Sequence, residues 1–229
     1  EHILSNNPKN LGDIIEGQSF VIDGMKVTII SPDVDKLNQL REKYSNHRPL
    51  CKSEIDKASV EAGSVMDDYF IPLQKFNLDY FQEDTSVENA SSIAAVFEYD
   101  DKRILWLSDS VPSVVMKSLF MLGFSETNKM YCDAVLLSHH GSAANNSLAL
   151  LRMIQADKYI ISADGMNGHC LPNKETIARI VSASSNLPVT LYFNYEDGRL
   201  IKMFKSDAQE DVKSRIDVHY LKDMEAIEF

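Results

Sequence analysis

The chain has 229 residues, a formal net charge of −11, and 44% hydrophobic and 25% charged residues. These fractions are those of an ordinary globular protein that buries a core, and the sequence contains no internal repeat or low-complexity segment. A net charge this negative disfavours non-specific binding to the phosphate backbone of nucleic acids. It does not exclude nuclease activity, because bound divalent cations reverse the electrostatic field around carboxylates.

The sequence also lacks the signals of membrane insertion and of disulfide stabilisation. No apolar run approaches the roughly 20 residues that span a bilayer, and residues 1–7 lack the basic and apolar regions of a signal peptide. A first residue other than Met indicates a processed, truncated or recombinant beginning. The cysteines, Cys51, Cys132 and Cys170, are odd in number and widely spaced, which argues against a disulfide framework and a CxxC zinc site. We expect a cytoplasmic protein with no membrane partner.

Residues 1–44 are predicted to contribute a hairpin and a helix to the domain. The hairpin covers residues 19–30 and turns at Asp23-Gly24, a dipeptide that favours the positive φ angles of tight hairpin turns. A helix follows and reaches about Tyr44, because apolar residues recur there at helical spacing.

The remainder of the chain divides into a weakly patterned segment and a regular one. Residues 45–88 are polar with scattered aromatics, which predicts an insertion or long loop that is functional or partly mobile. In residues 89–205 strands alternate with helices, the pattern of an α/β layered domain. The predicted strands are 93–99, 103–107, 134–137 and 159–162, and the predicted helices begin after Pro112 and cover 148–154 and 173–183.

Two further elements are predicted at the end of the chain. Residues 189–193 and 200–204 look like a closing hairpin, with its turn at Asp197-Gly198. The acid-rich tail, residues 206–229, is predicted to form one helix with Val212, Ile216 and Tyr220 on its inner face.

One candidate site residue is Asp109, which directly follows the apolar run ending at Leu107. Polar groups at strand ends are where α/β layered folds commonly place reactive residues. A carboxylate in this position is a hard oxygen ligand that could bridge two cations or orient a water. The alternative is that Asp109 caps the helix beginning near Pro112.

Histidines provide the other candidates. His139 and His140 lie between a predicted strand and a Gly-Ser turn, and adjacent residues of an extended chain face opposite ways, so at most one points into a given site. His169 follows Gly168, and glycines allow the backbone to bring a side chain close to a ligand. A structural or surface role is the alternative for each. The remaining histidines are expected to be solvated.

The order of these groups along the chain resembles the metallo-β-lactamase-fold hydrolases, in particular the soluble relatives of the competence DNA-uptake hydrolase domain. The resemblance covers about residues 89–205, and residues 19–32 more loosely. The residues that carry it are the Asn89-Ala90-Ser91-Ser92 segment before an apolar strand, Ser108-Asp109 after the next strand, the block Ser138-His139-His140-Gly141-Ser142, and Gly168-His169.

The resemblance implies an α/β fold, the αββα sandwich, with a metal site at one edge. The metal would be a divalent cation, zinc in the first place, with manganese as an alternative. We assign Asp109, His140 and His169 to the metal and His139 to a catalytic position beside it, although His139 and His140 could exchange roles. In such sites a metal-bound water is the nucleophile.

The defining H-x-H-x-D-H motif of the family is absent from this sequence, whose six histidines include only one close pair. In the family this motif lies upstream, so the N-terminal half of the sandwich is expected to be missing, and the chain alone should hold metal weakly or not at all. The resemblance predicts a metal-dependent hydrolase of a phosphodiester in a nucleic acid or nucleotide, completed by upstream sequence or a partner chain. A lactam, a thioester or a lipid-like phosphodiester fits the residues equally well. The alternative function is a catalytically inactive binding or regulatory module in a protein complex.

Overall fold

The computed structural model describes residues 12–45, 67–165, 169–222 and 226–228. Within these ranges the strands form one mixed sheet of eight strands, whose spatial order follows the order along the chain. Helices pack against this sheet around one main core, so the predicted α/β class is confirmed. These ranges contain a single sheet, and the second layer of a sandwich stays a prediction.

The sheet has an antiparallel half and a parallel half. Strands β1 to β4 pair antiparallel, and strands β4 to β8 pair parallel. The strands are β1 (Ser19–Ile22), β2 (Met25–Ser31), β3 (Ala94–Tyr99), β4 (Lys102–Trp106), β5 (Met130–Leu136), β6 (Ile154–Ile161), β7 (Val189–Phe193) and β8 (Ile216–Tyr220). Because parallel strands end at a common edge, the loops after β4, β5 and β6 come together there.

Two tight turns explain why the antiparallel half forms from local sequence. Asp23 and Gly24 connect β1 to β2 with φ angles of 50° and 86°, and Asp100 and Asp101 connect β3 to β4 with φ angles of 49° and 63°. Positive φ at both central residues matches the right-handed twist of a hairpin. The predicted hairpin at residues 19–30 is therefore confirmed.

The described ranges contain six α-helices. They are α1 (Val34–Ser45), α2 (Val87–Ala90), α3 (Pro112–Met121), α4 (Leu148–Arg152), α5 (Lys174–Ala183) and α6 (Gln209–Arg215). Pro112 occupies the first position of α3, where its missing N–H leaves no backbone hydrogen bond unmade. Over the part of the chain that the structure describes, no helix is both long and apolar enough to cross a membrane.

Two predictions for the end of the chain are wrong. Leu200–Lys202 is a short 3-10 helix, and β7 pairs in parallel with β8 instead of forming a hairpin with residues 200–204. The tail does not form one helix, since α6 ends at Arg215 and Ile216–Tyr220 forms the edge strand β8. The physical reason is burial, since Leu200 and Ile216 both lie in the main core. A short apolar run that is fully buried has no periodicity that distinguishes a helix from a strand.

The described end of the predicted insertion is an integral part of the domain. Residues 46–66 lie outside the described ranges, but Tyr69 and Leu73 are buried in the main core. The carboxylate of Asp68 accepts hydrogen bonds from the backbone nitrogens of Lys174 and Glu175, at 2.8 and 2.9 Å. These bonds satisfy free N–H groups at the start of α5, so the segment is attached to the domain by specific contacts.

The two faces of the sheet differ in burial. The main core lies between one face and helices α3, α4 and α5, where Leu105, Val135 and Tyr159 are fully buried. The opposite face, called the second face below, carries a row of paired residues: Ile29, Ala95, Trp106, Leu136, Ile160 and Tyr192. Trp106 in this row is 47% exposed. The second face is thus an apolar surface that the described residues bury only in part.

Candidate functional site

A cleft of about 790 Å³ lies beside the loops that follow the parallel strands. The carboxyl ends of parallel strands are the usual location of ligand sites in α/β sheets. Most of the residues that line the cleft are polar or charged. The lining residues relevant to chemistry are Glu83, Asp84, Asn89, His139, Asn145, His169, Asn173, Glu175 and Arg179.

The turn after β5 has an unusual backbone. His139 and His140 adopt left-handed φ angles of 45° and 56°, and Gly141 follows with φ of 82°. A Cβ atom on Gly141 would lie 2.7 Å from the Cβ atom of Pro172, so only glycine fits. Two successive non-glycine residues in this region are rare, and such strain persists where surrounding contacts enforce it.

Hydrogen bonds to the neighbouring loop hold this turn. The backbone nitrogen of His139 donates to the carbonyl oxygen of Ser108 at 2.7 Å, and the hydroxyl of Ser138 donates to the carbonyl of Ser110 at 2.7 Å. The buried side chain of Asn146 donates to the carbonyls of Ser138 and Ser142, each at 2.8 Å. The loops after β4 and β5 are therefore joined into one rigid unit.

The ring of His139 lies within a cluster of three polar side chains. Its Nδ1 is 3.1 Å from Oδ1 of Asn145, 3.4 Å from Nδ2 of Asn89 and 3.6 Å from Oδ2 of Asp84. The amides of Asn89 and Asn145 both donate to Oδ2 of Asp84, at 2.6 and 3.1 Å. Asp84, Asn89, Asn145 and His139 form what we call the His139 cluster.

Asp84 is the charged member of this cluster. Burial alone would raise the pKa of its carboxyl, but hydrogen bonds from Asn89, from the backbone of Ser86 and from Asn145 outweigh burial, and the net effect lowers the pKa. The nearby imidazole of His139 acts in the same direction. The carboxylate therefore stays ionised, and it can stabilise a positive charge on His139.

Arg179 connects the elements that surround the cleft. Its guanidinium is buried, and it donates to the carbonyl oxygens of Ala143 (2.5 Å), Asn146 (2.9 Å) and Tyr80 (3.2 Å) and to the carboxylate of Glu175 (2.5 Å). Burial lowers the pKa of Arg179, and Glu175 opposes that shift. Because its donors bind backbone of two separate loops, Arg179 fixes the cleft wall in place.

The structure places the predicted site residues in two groups. His139 and His169 both line the cleft, whereas Asp109 and His140 do not. His140 is exposed, and its Nδ1 lies 2.5 Å from the carbonyl oxygen of Ser162. The rings of His139 and His140 are 5.9 Å apart at 58°. The premise of an extended chain at these residues is wrong, because the left-handed turn sets their directions.

Asp109 is half-buried at the start of the loop after β4, and its carbonyl oxygen accepts from Nδ2 of Asn145 at 3.3 Å. The alternative that Asp109 caps α3 is wrong, since the N-cap residue is Val111 and makes no side-chain cap. Glu83 takes that role, because its carboxylate accepts from the backbone nitrogen of Ser113 at 2.7 Å. The carboxylate of Asp109 therefore remains available for another role.

The described residues do not complete a metal centre. Across ranges 12–45, 67–165, 169–222 and 226–228, no group of three or more His, Cys, Asp or Glu side chains is placed to hold a metal ion. Asp109, His140 and His169 would need further ligands from outside these residues. Their assignment to a metal stays a prediction.

Sequence reasoning missed most of the polar residues of the cleft, among them Asp84, Arg179 and Asn145. Asp84 lies in the segment predicted as an insertion, and nothing in its local pattern distinguishes it from other solvated acids. Arg179 falls within a correctly predicted helix, where a charged residue is expected on the outer face. Asn145 follows the histidine turn closely, and its position after Gly141-Ser142 was the only available signal.

Comparisons with protein-family models, with curated proteins and with solved structures give no match to this chain. The resemblance to a known family therefore depends on the motifs quoted above. The arrangement of the cleft residues is independent of that resemblance.

Proposed function

We propose that this chain is part of a metal-dependent hydrolase of the metallo-β-lactamase fold that acts on a phosphodiester, in a nucleic acid or a nucleotide. The observation that carries the proposal is the His139 cluster. An imidazole beside an ionised carboxylate, at the carboxyl edge of a parallel sheet, is the arrangement of a proton-transfer group. His169 lines the same cleft.

The second face supports the proposed sandwich. Its apolar row runs across six neighbouring strands, β2 to β7, and includes an indole that is 47% exposed. Apolar surface of this extent is stabilised when another layer covers it. Upstream sequence or a partner chain that supplies the H-x-H-x-D-H half would provide such a layer.

The charge of the cleft supports dependence on a cation. Glu83, Asp84 and Glu175 line it, and the guanidinium of Arg179 is engaged by carbonyls and by Glu175. A phosphodiester entering this cleft meets net negative charge, which a divalent cation would neutralise. In the proposed enzyme His139 moves a proton at the reacting oxygen, and Asp84 stabilises the imidazolium that results.

The proposal is tested on the gene product with any sequence that precedes Glu1, using bis(p-nitrophenyl) phosphate and single-stranded nucleic acid as substrates. Turnover should require added zinc or manganese and stop with a chelator. His139→Ala should lower turnover about 10²- to 10⁴-fold, the usual contribution of a general acid or base. Phe120→Ala is the control, since Phe120 is 73% exposed near the end of α3 and is not among the residues that line the cleft. Absence of turnover with every metal would refute the proposal.

The second candidate is a binding or regulatory module without catalysis, favoured by the incomplete set of metal-ligating groups among the described residues. On this hypothesis the second face binds a protein partner and His139 is structural. Elemental analysis of the purified protein separates the two candidates. Close to one zinc or manganese per chain counts against the binding module.

A further inference from the structure

We infer that Asn145 is a positioning residue that, together with Asp84, holds the imidazole of His139 in the tautomer protonated at Nδ1. Nε2 is then the unprotonated nitrogen of a side chain that lines the cleft. The inference deepens the proposed function, and its catalytic consequence rests on that proposal. The tautomer itself follows from the hydrogen-bond geometry.

The orientation of the Asn145 amide is set by its surroundings. Its Nδ2 faces three acceptors: Oδ2 of Asp84 at 3.1 Å, and the carbonyl oxygens of Asp109 and Ser110 at 3.3 and 3.4 Å. Rotating the amide by half a turn would place its oxygen against these three oxygens and remove the donor from the carbonyl of Asp109, while Asp84 and Ser110 would keep donors from Asn89 and Ser138. Because Asn145 is fully buried, such a loss is not compensated by water.

With the amide fixed, Oδ1 of Asn145 must face Nδ1 of His139, at 3.1 Å. An amide oxygen accepts hydrogen bonds and cannot donate one, so a favourable contact requires a proton on Nδ1. The carboxylate of Asp84, 3.6 Å from the same nitrogen, also favours a proton there. Two acceptors therefore point to the same tautomer.

One contact argues the other way. Nδ2 of Asn89 lies 3.4 Å from Nδ1 of His139 and could donate to an unprotonated nitrogen. This donor is already engaged by Asp84 at 2.6 Å, and 3.4 Å is long for an N–H···N bond. The shorter contact to Asn145 and the charge of Asp84 outweigh it.

His140 provides an internal comparison within the same turn. Its Nδ1 is 2.5 Å from the carbonyl oxygen of Ser162, and a carbonyl can only accept. His140 should therefore also be protonated at Nδ1. Its partner is backbone, so a change at Asn145 should leave its tautomer unaltered.

The tautomer of each neutral imidazole is read from long-range ¹H–¹⁵N correlations in the full chain, at mildly alkaline pH and without metal. The His139 resonances are assigned by their loss in His139→Gln. In the wild type, Nδ1 of His139 should show the shift of a protonated nitrogen and Nε2 that of an unprotonated one. The reverse pattern, protonated at Nε2, overturns the inference.

Variants test whether Asn145 is the cause. Asn145→Ala should abolish the dominance of the Nδ1-protonated form of His139 while His140 keeps its pattern. Asn173→Ala is the matched control, because Asn173 lines the same cleft and its Oδ1 accepts from the backbone of Ala143 without contacting His139. An unchanged His139 pattern in Asn145→Ala contradicts the inference.

Two arms keep the result decisive. If Asn145→Ala does not fold, Asp84→Asn is the second variant. Its side chain retains an oxygen that accepts from Nδ2 of Asn145, so His139 should stay protonated at Nδ1. A folded Asp84→Asn variant in which His139 is protonated at Nε2 contradicts the role of Asn145. The readout needs neither substrate nor metal. Hydrolysis lost with the tautomer intact therefore counts against the proposed function alone, and a wrong tautomer counts against this inference alone.

Discussion

The antiparallel and parallel halves of the sheet use charged residues differently. In the antiparallel half, Glu98 pairs with Lys26 and Arg103 at 2.9 and 2.7 Å, and all three side chains are at least 29% exposed. In α5, the helix that connects β6 to β7 in the parallel half, Arg179 is 2% exposed and Lys174 is fully buried beside Asp207. Exposed pairs contribute little to stability, whereas breaking a buried pair leaves an uncompensated charge. The buried charge of Arg179 therefore holds the wall of the cleft, whereas the charges of the antiparallel half lie at its solvated surface.

The largest effect is expected from Arg179→Met. This change removes donors from three carbonyls and leaves Glu175 without its partner, so it should lower the free energy of unfolding by about 3–5 kcal/mol. Urea denaturation measures it. Arg103→Met in the antiparallel half is the control and should change stability by less than about 1 kcal/mol. Equal losses of stability in the two variants would show that buried and exposed charges contribute alike in the two halves.

Gly141→Ala should have the next largest effect. The φ of 82° alone strains an alanine by about 1–2 kcal/mol, and the contact of its Cβ with Pro172 adds roughly 1–3 kcal/mol of overpacking. Gly123→Ala isolates the first contribution, since Gly123 has φ of 91° and no atom within 4 Å of the added Cβ. Thermal unfolding of both variants should show the greater loss for Gly141→Ala. A loss no greater than that of Gly123→Ala would show that the turn relaxes around the methyl group.

The acid dependence of stability should separate Asp84 from Glu98. Folding lowers the pKa of both carboxyls, so each contributes stability that is full above its unfolded pKa, about 4, and is lost as pH falls through the folded pKa. Asp84→Asn and Glu98→Gln should each flatten the acid limb of the stability curve. High salt should erase the Glu98 contribution, because its partners are exposed, and preserve most of that of Asp84. Equal salt sensitivity of the two contributions would contradict the assignment.

The smallest effect is expected from Lys26→Met. Lys26 is 54% exposed at its pair with Glu98, and such pairs contribute roughly 0.2–1 kcal/mol. Arg103 remains to pair with Glu98 in the variant, which reduces the loss further. Urea denaturation at low and high ionic strength should detect a difference only at low salt. A loss in the free energy of unfolding above about 2 kcal/mol would show that the Lys26–Glu98 pair contributes as much as a buried ion pair.

Much of the fold follows from local sequence, and the errors share one cause. The Asp23-Gly24 hairpin and the helix beginning at Pro112 were predicted because their turn and cap residues are neighbours in the chain. The wrong hairpin at residues 200–204 and the wrong helix over Ile216–Tyr220 involve apolar runs without such signals. The secondary structure of each of these two runs is decided by the part of the core against which it packs.

The candidate site was predicted less completely than the fold. His139 and His169 were identified, and they share a cleft, but their companion Asp84 lies 61 positions before Asn145, with which it is hydrogen-bonded. Contacts over such separations leave no periodic signal in one sequence. The roles of Asp109 and His140 at a metal stay predictions.

The sequence by itself determined the α/β class, the hairpin at residues 19–30 and the polar residues that follow β4 and β5, because turn propensity and hydrophobic period act between neighbours. Only the tertiary structure decided which histidine lines the cleft. The left-handed backbone at His139 and His140 is held by the bond to Ser108 and the close approach of Pro172, both distant in the chain, and by the nearby side chain of Asn146. The same packing brings Asp84 and Asn145 to His139, so the chemistry of the site is a property of the folded loops together.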